Sequence, residues 1–189
     1  MQFFDSLQND QLVASIIHGA VGVLPTDTVY GLVCSAKHEA SVARLYALKA
    51  REQKPGTIIA ASVKQILELG IEPAYLKLAD KFWPGPVSVE TQHPITYLHQ
   101  GTGRQAIRIP SDEGLRTFLE KTGPLQTTSA NQPGKPPANT VHEARSYFDD
   151  QVDFYVDGGD TTGSAPSTII RVADDGAIEV IRPGAASFA

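Results

Sequence analysis

Four stretches of the chain bring together hydroxyls, amides and cations at the ends of apolar runs. Pro25-Thr26-Asp27-Thr28-Val29-Tyr30-Gly31-Leu32 follows the apolar run Ala20–Leu24, and strand ends are where open α/β sheets take ligands. Its hydroxyls and carboxylate can grip a small polar molecule such as an amino acid. The same residue types also cap backbone groups in turns. Lys49 and Arg51 close a helical pattern that carries Val42, Leu45 and Tyr46. Lys49 continues that apolar stripe, and an inward cation with an arginine two residues on suits a polyphosphate. The pair equally complements a helix C-terminus. Thr127-Thr128-Ser129-Ala130-Asn131 runs into a Pro/Gly-rich loop. Consecutive hydroxyls and an amide in that setting can hold phosphate oxygens. Arg108, inside Ala106-Ile107-Arg108-Ile109-Pro110, shares a face with Ala106 and Pro110 by strand alternation. An arginine between isoleucines calls for a carboxylate, from the protein or from a ligand.

Other patterns fail on context. Gly101-Thr102-Gly103-Arg104-Gln105-Ala106 matches the glycine string of a dinucleotide fold, but a strand pattern follows it where a helix is required. Gly134-Lys135 lacks the earlier glycine of a Walker loop, and Pro136 stands where Ser or Thr belongs. His18, His38, His93, His99 and His142 have no ligand spacing and read as solvated or locally hydrogen-bonded. A single cysteine, Cys34, excludes a disulfide framework and a cysteine-ligated zinc.

The elements that must position these groups alternate. Strand patterns occur at 20–24, 57–61, 105–109 and 125–128, and two more flank the Asp175-Gly176 turn. Helical periodicity covers 7–18, 39–49, the stretch from Ser62 to a Gly70 C-cap, 112–122 with Ser111 as N-cap, and 141–148. Near-continuous apolar strands alternating with helices, and a β-rich tail, predict an α/β fold with a mixed sheet. The 189 residues are 41% hydrophobic and carry 16 basic against 21 acidic groups, a net of −5. This length suffices for a core that hides roughly 70% of the extended surface. The net charge excludes a globally basic nucleic-acid coat, though not a local basic groove. No basic and apolar leader opens the chain, and no apolar run approaches the ~20 residues of a membrane helix. The expectation is a soluble, cytoplasmic domain.

Taken in order, PTDTVYGL (25–32), Lys49-x-Arg51, WPGP (83–86), IRIP (107–110), TSAN (128–131), Ser167-Thr168 and Arg182-Pro183-Gly184 resemble the YrdC/TsaC family of threonylcarbamoyl-AMP synthases. The match runs from about residue 8 to the C-terminus, with PTDTVYGL and TSAN its most specific pieces. The chain stops just past the Arg-Pro-Gly, like the short single-domain bacterial form. The resemblance implies one YrdC-like domain over residues 1–189, with a twisted mixed sheet, helices and an open concave substrate groove. It implies a nucleotidyltransferase that turns L-threonine, bicarbonate and ATP into threonylcarbamoyl-AMP and pyrophosphate. Downstream proteins then transfer the threonylcarbamoyl group to tRNA beside the anticodon.

By the same resemblance, Lys49 and Arg51 are catalytic, and Thr28, Arg108, Ser129 and Thr168 bind threonine. Lys49, Arg51, Lys54, Asn131, Asn139, Ser167 and Arg182 bind the nucleotide. No resident metal is implied, and Mg²⁺ arrives with ATP. Asp27 is a candidate general base for carboxylation of the threonine nitrogen. The chain departs from the family's usual pattern at Glu52, at Gln132-Pro133-Gly134 and at Ile169-Ile170-Arg171 after Ser-Thr. Two other readings use the same cationic groove: an RNA-binding module for tRNA or rRNA, and a carbamoyltransferase like those of hydrogenase maturation, which contain a similar domain.

Overall fold

The computed structural model describes residues 1–50 and 53–188. In chain order the strands are β1 (Gln2–Phe4), β2 (Gly22–Leu24), β3 (Gly31–Ser35), β4 (Thr57–Ile59), β5 (Val87–Gln92), β6 (Arg104–Arg108), β7 (Leu125–Ser129), β8 (Phe154–Val156), β9 (Thr168–Val172) and β10 (Ile178–Arg182). The helices are α1 (Asp10–Ile17), α2 (Glu39–Leu48), α3 (Val63–Leu67), α4 (Pro73–Leu76), α5 (Thr96–His99), α6 (Glu113–Thr122) and α7 (Val141–Phe148). The described strands form one mixed sheet in the order β1-β8-β2-β3-β7-β4-β6-β5-β9-β10. The expected α/β class and mixed sheet are therefore the observed ones. Strands β1, β3, β5 and β8 lacked a sequence signal, because β1 and β8 have three residues each and the others carry Ser, Cys, Thr and Gln among their apolar residues.

Helix ends follow local chemistry. Asn9 caps α1 by accepting from Gln11 N and Leu12 N, so the helix starts after Leu7, not at it. The expected Ser111 cap is displaced by one residue: Asp112 accepts from Leu115 N at 2.6 Å and caps α6. Ser111 is drawn away by another partner, described below. His38 Nδ1 accepts from Ser41 N and caps α2. The Gly101 and Gly103 string is a left-handed turn leading directly into β6.

Two cores lie on opposite sheet faces, as strand alternation requires. Leu32, Cys34, Ile58 and Ile107 face α2, α5 and α7. Val33, Ile59, Leu125 and Phe154 face α1 and α6 through Leu12, Ile16, Leu115, Phe118 and Leu119. Those two helices cover only part of their face. Two residues along the same strands, on the same side, come Gly31, Thr57 and Thr127, with Arg108 paired beside Ile59. Here small and polar residues replace apolar ones, and the face is open.

His93 departs from the solvated reading. It is 6% exposed, and its Nδ1 accepts from Ile95 N at 3.0 Å. Burial, and next the adjacent His99, lower its pKa from 6.5 to about 4. The unfolded chain binds a proton there that the folded chain refuses. Its contribution to stability is complete above pH 6.5 and is lost as the pH falls through about 4. Denaturation midpoints are expected to decline over that window, and less so in His93→Asn, which keeps an acceptor for Ile95 N. Equal declines in both proteins would move the effect to other groups.

Candidate functional site

The open part of the sheet face is a groove bounded by Thr28, Gly31, Thr57, Arg108, Thr127, Ser167 and Arg182. It adjoins a second, shallower basin lined by Lys49, Lys54, Asn131 and Gly134, and Ser129 belongs to both. Four cations line the two basins, and among the described residues no carboxylate does. In a chain of net charge −5, this concentrates positive potential in one concavity.

The PTDTVYGL stretch divides its work. Thr26 Oγ1 donates to Val29 O at 2.6 Å and accepts from Thr28 N and Val29 N, which is turn chemistry. Thr28 is left to face the groove, 6% exposed, with its Oγ1 accepting from Arg108 Nη2 at 3.4 Å. Tyr30 points away. Its hydroxyl donates to Gly159 O and accepts from Gly158 N, tying the 157–159 loop to β3. Gly31 is required by close approach, since a Cβ there would lie 2.6 Å from Thr127 Oγ1.

Asp27 is not placed as a general base. Its side chain is 3% exposed, Oδ1 accepts from Arg108 Nη1, and Oδ2 accepts from Ser111 N at 2.9 Å and Ser111 Oγ at 3.2 Å. Both carboxylate oxygens are thus engaged within the protein, one of them by a guanidinium. Of the two partners considered for Arg108, the protein supplies this one. The guanidinium, 4% exposed, keeps a buried Nε without a partner. Burial lowers its pKa, and the charge and hydrogen bond of Asp27 act the other way. Arg108 is thus fixed at the groove floor with donor capacity remaining.

Lys49 sits at the C-cap of α2, 6% exposed. Its Nζ donates to Ser129 O at 3.0 Å, Asn131 O at 2.5 Å and Asn131 Oδ1 at 2.8 Å. Ser129 Oγ donates to the same Asn131 Oδ1 at 2.7 Å. An ammonium on the apolar side of one helix therefore organises the turn that ends β7, where the hydroxyls and amide of TSAN are displayed. Asn131 Nδ2 continues the brace to Lys135 O at 2.7 Å, and Ala138 N returns to Ala130 O at 2.8 Å. Only residues 133–136 of that loop are fully exposed.

At the far wall, Arg182 donates to Ser167 O and Ser167 Oγ, and Ser167 Oγ lies 2.8 Å from Ser88 Oγ. Thr168 does not line the groove. It is 1% exposed, and its hydroxyl donates to Ala186 O and accepts from Ala186 N. Adjacent strand residues face opposite ways, so Ser167 and Ile169 line the groove and Thr168 turns behind them. Asn139 lines neither basin. Its backbone is held by Glu143 Oε2 and Thr161. Arg51 lies outside the described residues. Thr127, read from the sequence as part of the hydroxyl run, does line the groove, whereas sequence reasoning missed Thr57 and Ser88 near it, which only the strand register brings there.

Among known proteins, the model of the Sua5/YciO/YrdC family, described as "Telomere recombination", matches residues 14–184. A protein of Pseudomonas putida named threonylcarbamoyl-AMP synthase is 33% identical over 185 residues, covering 95% of this chain and 98% of its own. The structure of P. abyssi Sua5 complexed with L-threonine superposes with a TM-score of 0.82 at 28% identity, over 96% of this chain and 57% of that longer one. E. coli YciO has the same fold, with a TM-score of 0.82 at 22% identity over 99% and 97% of the two chains.

Proposed function

The chain belongs to the Sua5/YciO/YrdC family, and from that premise we propose that it is a threonylcarbamoyl-AMP synthase acting on L-threonine, bicarbonate and ATP. The observation that carries this reading is the pair of adjoining cationic basins, with no carboxylate among their described lining residues. One is deep with a buried arginine at its floor, the other is shallow and lysine-lined, and Ser129 joins them. Two anions that must react with each other need such a place. The likeness to a Sua5 that binds L-threonine supports threonine in the deep basin, at Thr28, Arg108 and Ser129. ATP phosphates then lie toward Lys49, Lys54 and Asn131, with Ser167 and Arg182 on the far wall and Arg51 as a further nucleotide contact, while Asn139, outside both basins, is not given that role.

The chemistry explains the composition of the site. The neutral threonine amine first adds to bicarbonate with loss of water, or to CO₂ with loss of a proton, and gives a carbamate. The resulting carbamate oxygen attacks the α-phosphorus of ATP, and pyrophosphate leaves. The nucleophile is already an anion and the leaving group needs no protein proton, so the protein's work is to position both and to stabilise growing charge. Lysine, arginine and hydroxyls suffice for that. Asp27 is engaged by Arg108 and Ser111, and among the described residues no group of His, Cys, Asp and Glu could hold a metal ion; Mg²⁺ brought with ATP would supply charge neutralisation to the phosphates.

The proposal takes residues 1–189 as one cytoplasmic YrdC-like domain whose product passes to proteins that modify tRNA. Among the described residues no helix is long and apolar enough to cross a membrane. The relatives favour this activity over the RNA-binding and carbamoyltransferase readings. Pyrophosphate release is expected to require ATP, bicarbonate and L-threonine together. Serine should be the weaker substrate, because one methyl contact is worth ~1–3 kcal/mol. Equal turnover with alanine would sink the reading of Thr28, and release driven by carbamoyl phosphate or by RNA alone would favour the other classes.

A further inference from the structure

Just before β4, Lys54 lies at the rim of the second basin and Pro55 and Gly56 at the rim of the groove. Loops are held by what their backbone groups find: here Lys54 N donates to Gln100 Oε1 at 3.0 Å, and Gly56 is held by two buried side chains with a third behind them. Gly56 N donates to Tyr46 Oη at 3.1 Å, and Gly56 O accepts from Gln105 Nε2 at 2.8 Å. Tyr46 Oη also accepts from Gln126 Nε2 at 3.1 Å and donates to Leu98 O at 2.5 Å. Among the described residues the hydroxyl thus accepts two bonds and donates one. Tyr46 is 6% exposed, and Gln105 and Gln126 are wholly buried.

Two glutamines inside central strands are costly. Each leaves its Oε1 without a donor, and an apolar side chain there would carry no such penalty. What the amides supply is the grip on Gly56 and on the tyrosine that holds it. The position admits no other residue, since a Cβ on Gly56 would lie 2.3 Å from Thr127 O and 2.6 Å from Gln126 Nε2. The segment is pressed against β7 and tied at both backbone groups.

We propose that Tyr46, with Gln105 and Gln126 behind it, is a positioning residue that clamps Gly56 and thereby sets how Lys54 and Pro55 meet the phosphates of ATP. It touches no reacting atom. The proposal rests on reading the groove as an ATP site, and its test separates the two claims. Backbone amide exchange at Gly56 is followed by NMR in the ligand-free chain, and ATP affinity by direct titration, for wild type, Tyr46→Phe and Tyr97→Phe. Tyr97 is the control, because its hydroxyl makes a similar bond to Ala36 O at 3.0 Å away from the groove.

Tyr46→Phe is expected to speed exchange at Gly56 and to weaken ATP roughly five- to tenfold, the equivalent of one buried hydrogen bond. The KM for threonine should stay close to wild type, and Tyr97→Phe should change neither exchange nor affinity. Should Tyr46→Phe fold poorly, Gln105→Met frees Gly56 O instead and is expected to act in the same direction. Unchanged exchange at Gly56 overturns the clamp, and faster exchange with unchanged ATP affinity overturns its role in positioning. A wild-type chain that binds no ATP overturns the reading of the groove, while exchange still decides whether the clamp exists.

Discussion

Lys49→Ala is expected to lower the rate of pyrophosphate release by about 10²–10³, with the ATP dissociation constant rising much less. Two effects act together. The three protons of Nζ are donated to Ser129 O, Asn131 O and Asn131 Oδ1, so truncation strips the partners from the turn that displays Ser129 and Asn131. On the proposed reading, an ammonium at the rim of this basin would also meet phosphate oxygens whose charge grows as the P–O bond breaks. To do so it must exchange one acceptor of the turn for a phosphate, which makes the exchange specific to the bound, reacting state. Lys49→Met keeps the buried stem and is expected to lose turnover nearly as completely. The check is kcat against a titrated dissociation constant, with thermal unfolding recorded alongside. Near-normal kcat in a folded Lys49→Met would reduce the lysine to a helix-end cation.

How far these residues were legible follows from what each one contacts. Arg108 could be read, because strand alternation alone puts it opposite Ile107 and Ile109, and its face is the groove face. Lys49 could be read as inward because helical spacing aligns it with Leu45 and Tyr46. The acceptors it meets, however, belong to residues 129–131, which no local rule brings near. Tyr46 reads as one more apolar residue of α2, and its hydroxyl gains meaning only when β6 and β7 deliver Gln105 and Gln126 beneath it. Thr168 enters the site only through the family resemblance, and because adjacent strand residues face opposite ways it turns behind Ser167. Asp27 looks like a base beside hydroxyls until the strand order places Arg108 and Ser111 against it. Periodicity thus found the long helices and the apolar strands, while the three-residue β1 and β8 and the pairings across the sheet depend on contacts far apart in sequence.

The buried pair of Arg108 and Asp27 allows structure and binding to be separated in one cycle. Arg108→Met is expected to destabilise the fold by about 3–5 kcal/mol, because it leaves a carboxylate uncompensated in a site where it cannot reach water. The Asp27 side chain is 3% exposed, and only Ser111 N and Oγ would remain to it. Arg108→Met combined with Asp27→Asn removes both charges and should recover most of that loss, since a neutral amide of similar size can still meet Ser111. Turnover should not return with it. The deep basin would then have no cation at its floor to meet a carboxylate, and the KM for threonine should stay far above wild type while ATP binding is nearly kept. Chemical denaturation gives the stability arm, and pyrophosphate release over a threonine series gives the functional arm. A double variant as unstable as the single one would show that the pair is not the source of the loss. A double variant with restored turnover would make Arg108 a structural partner of Asp27 alone, and the threonine carboxylate would have to be sought at another donor of the groove.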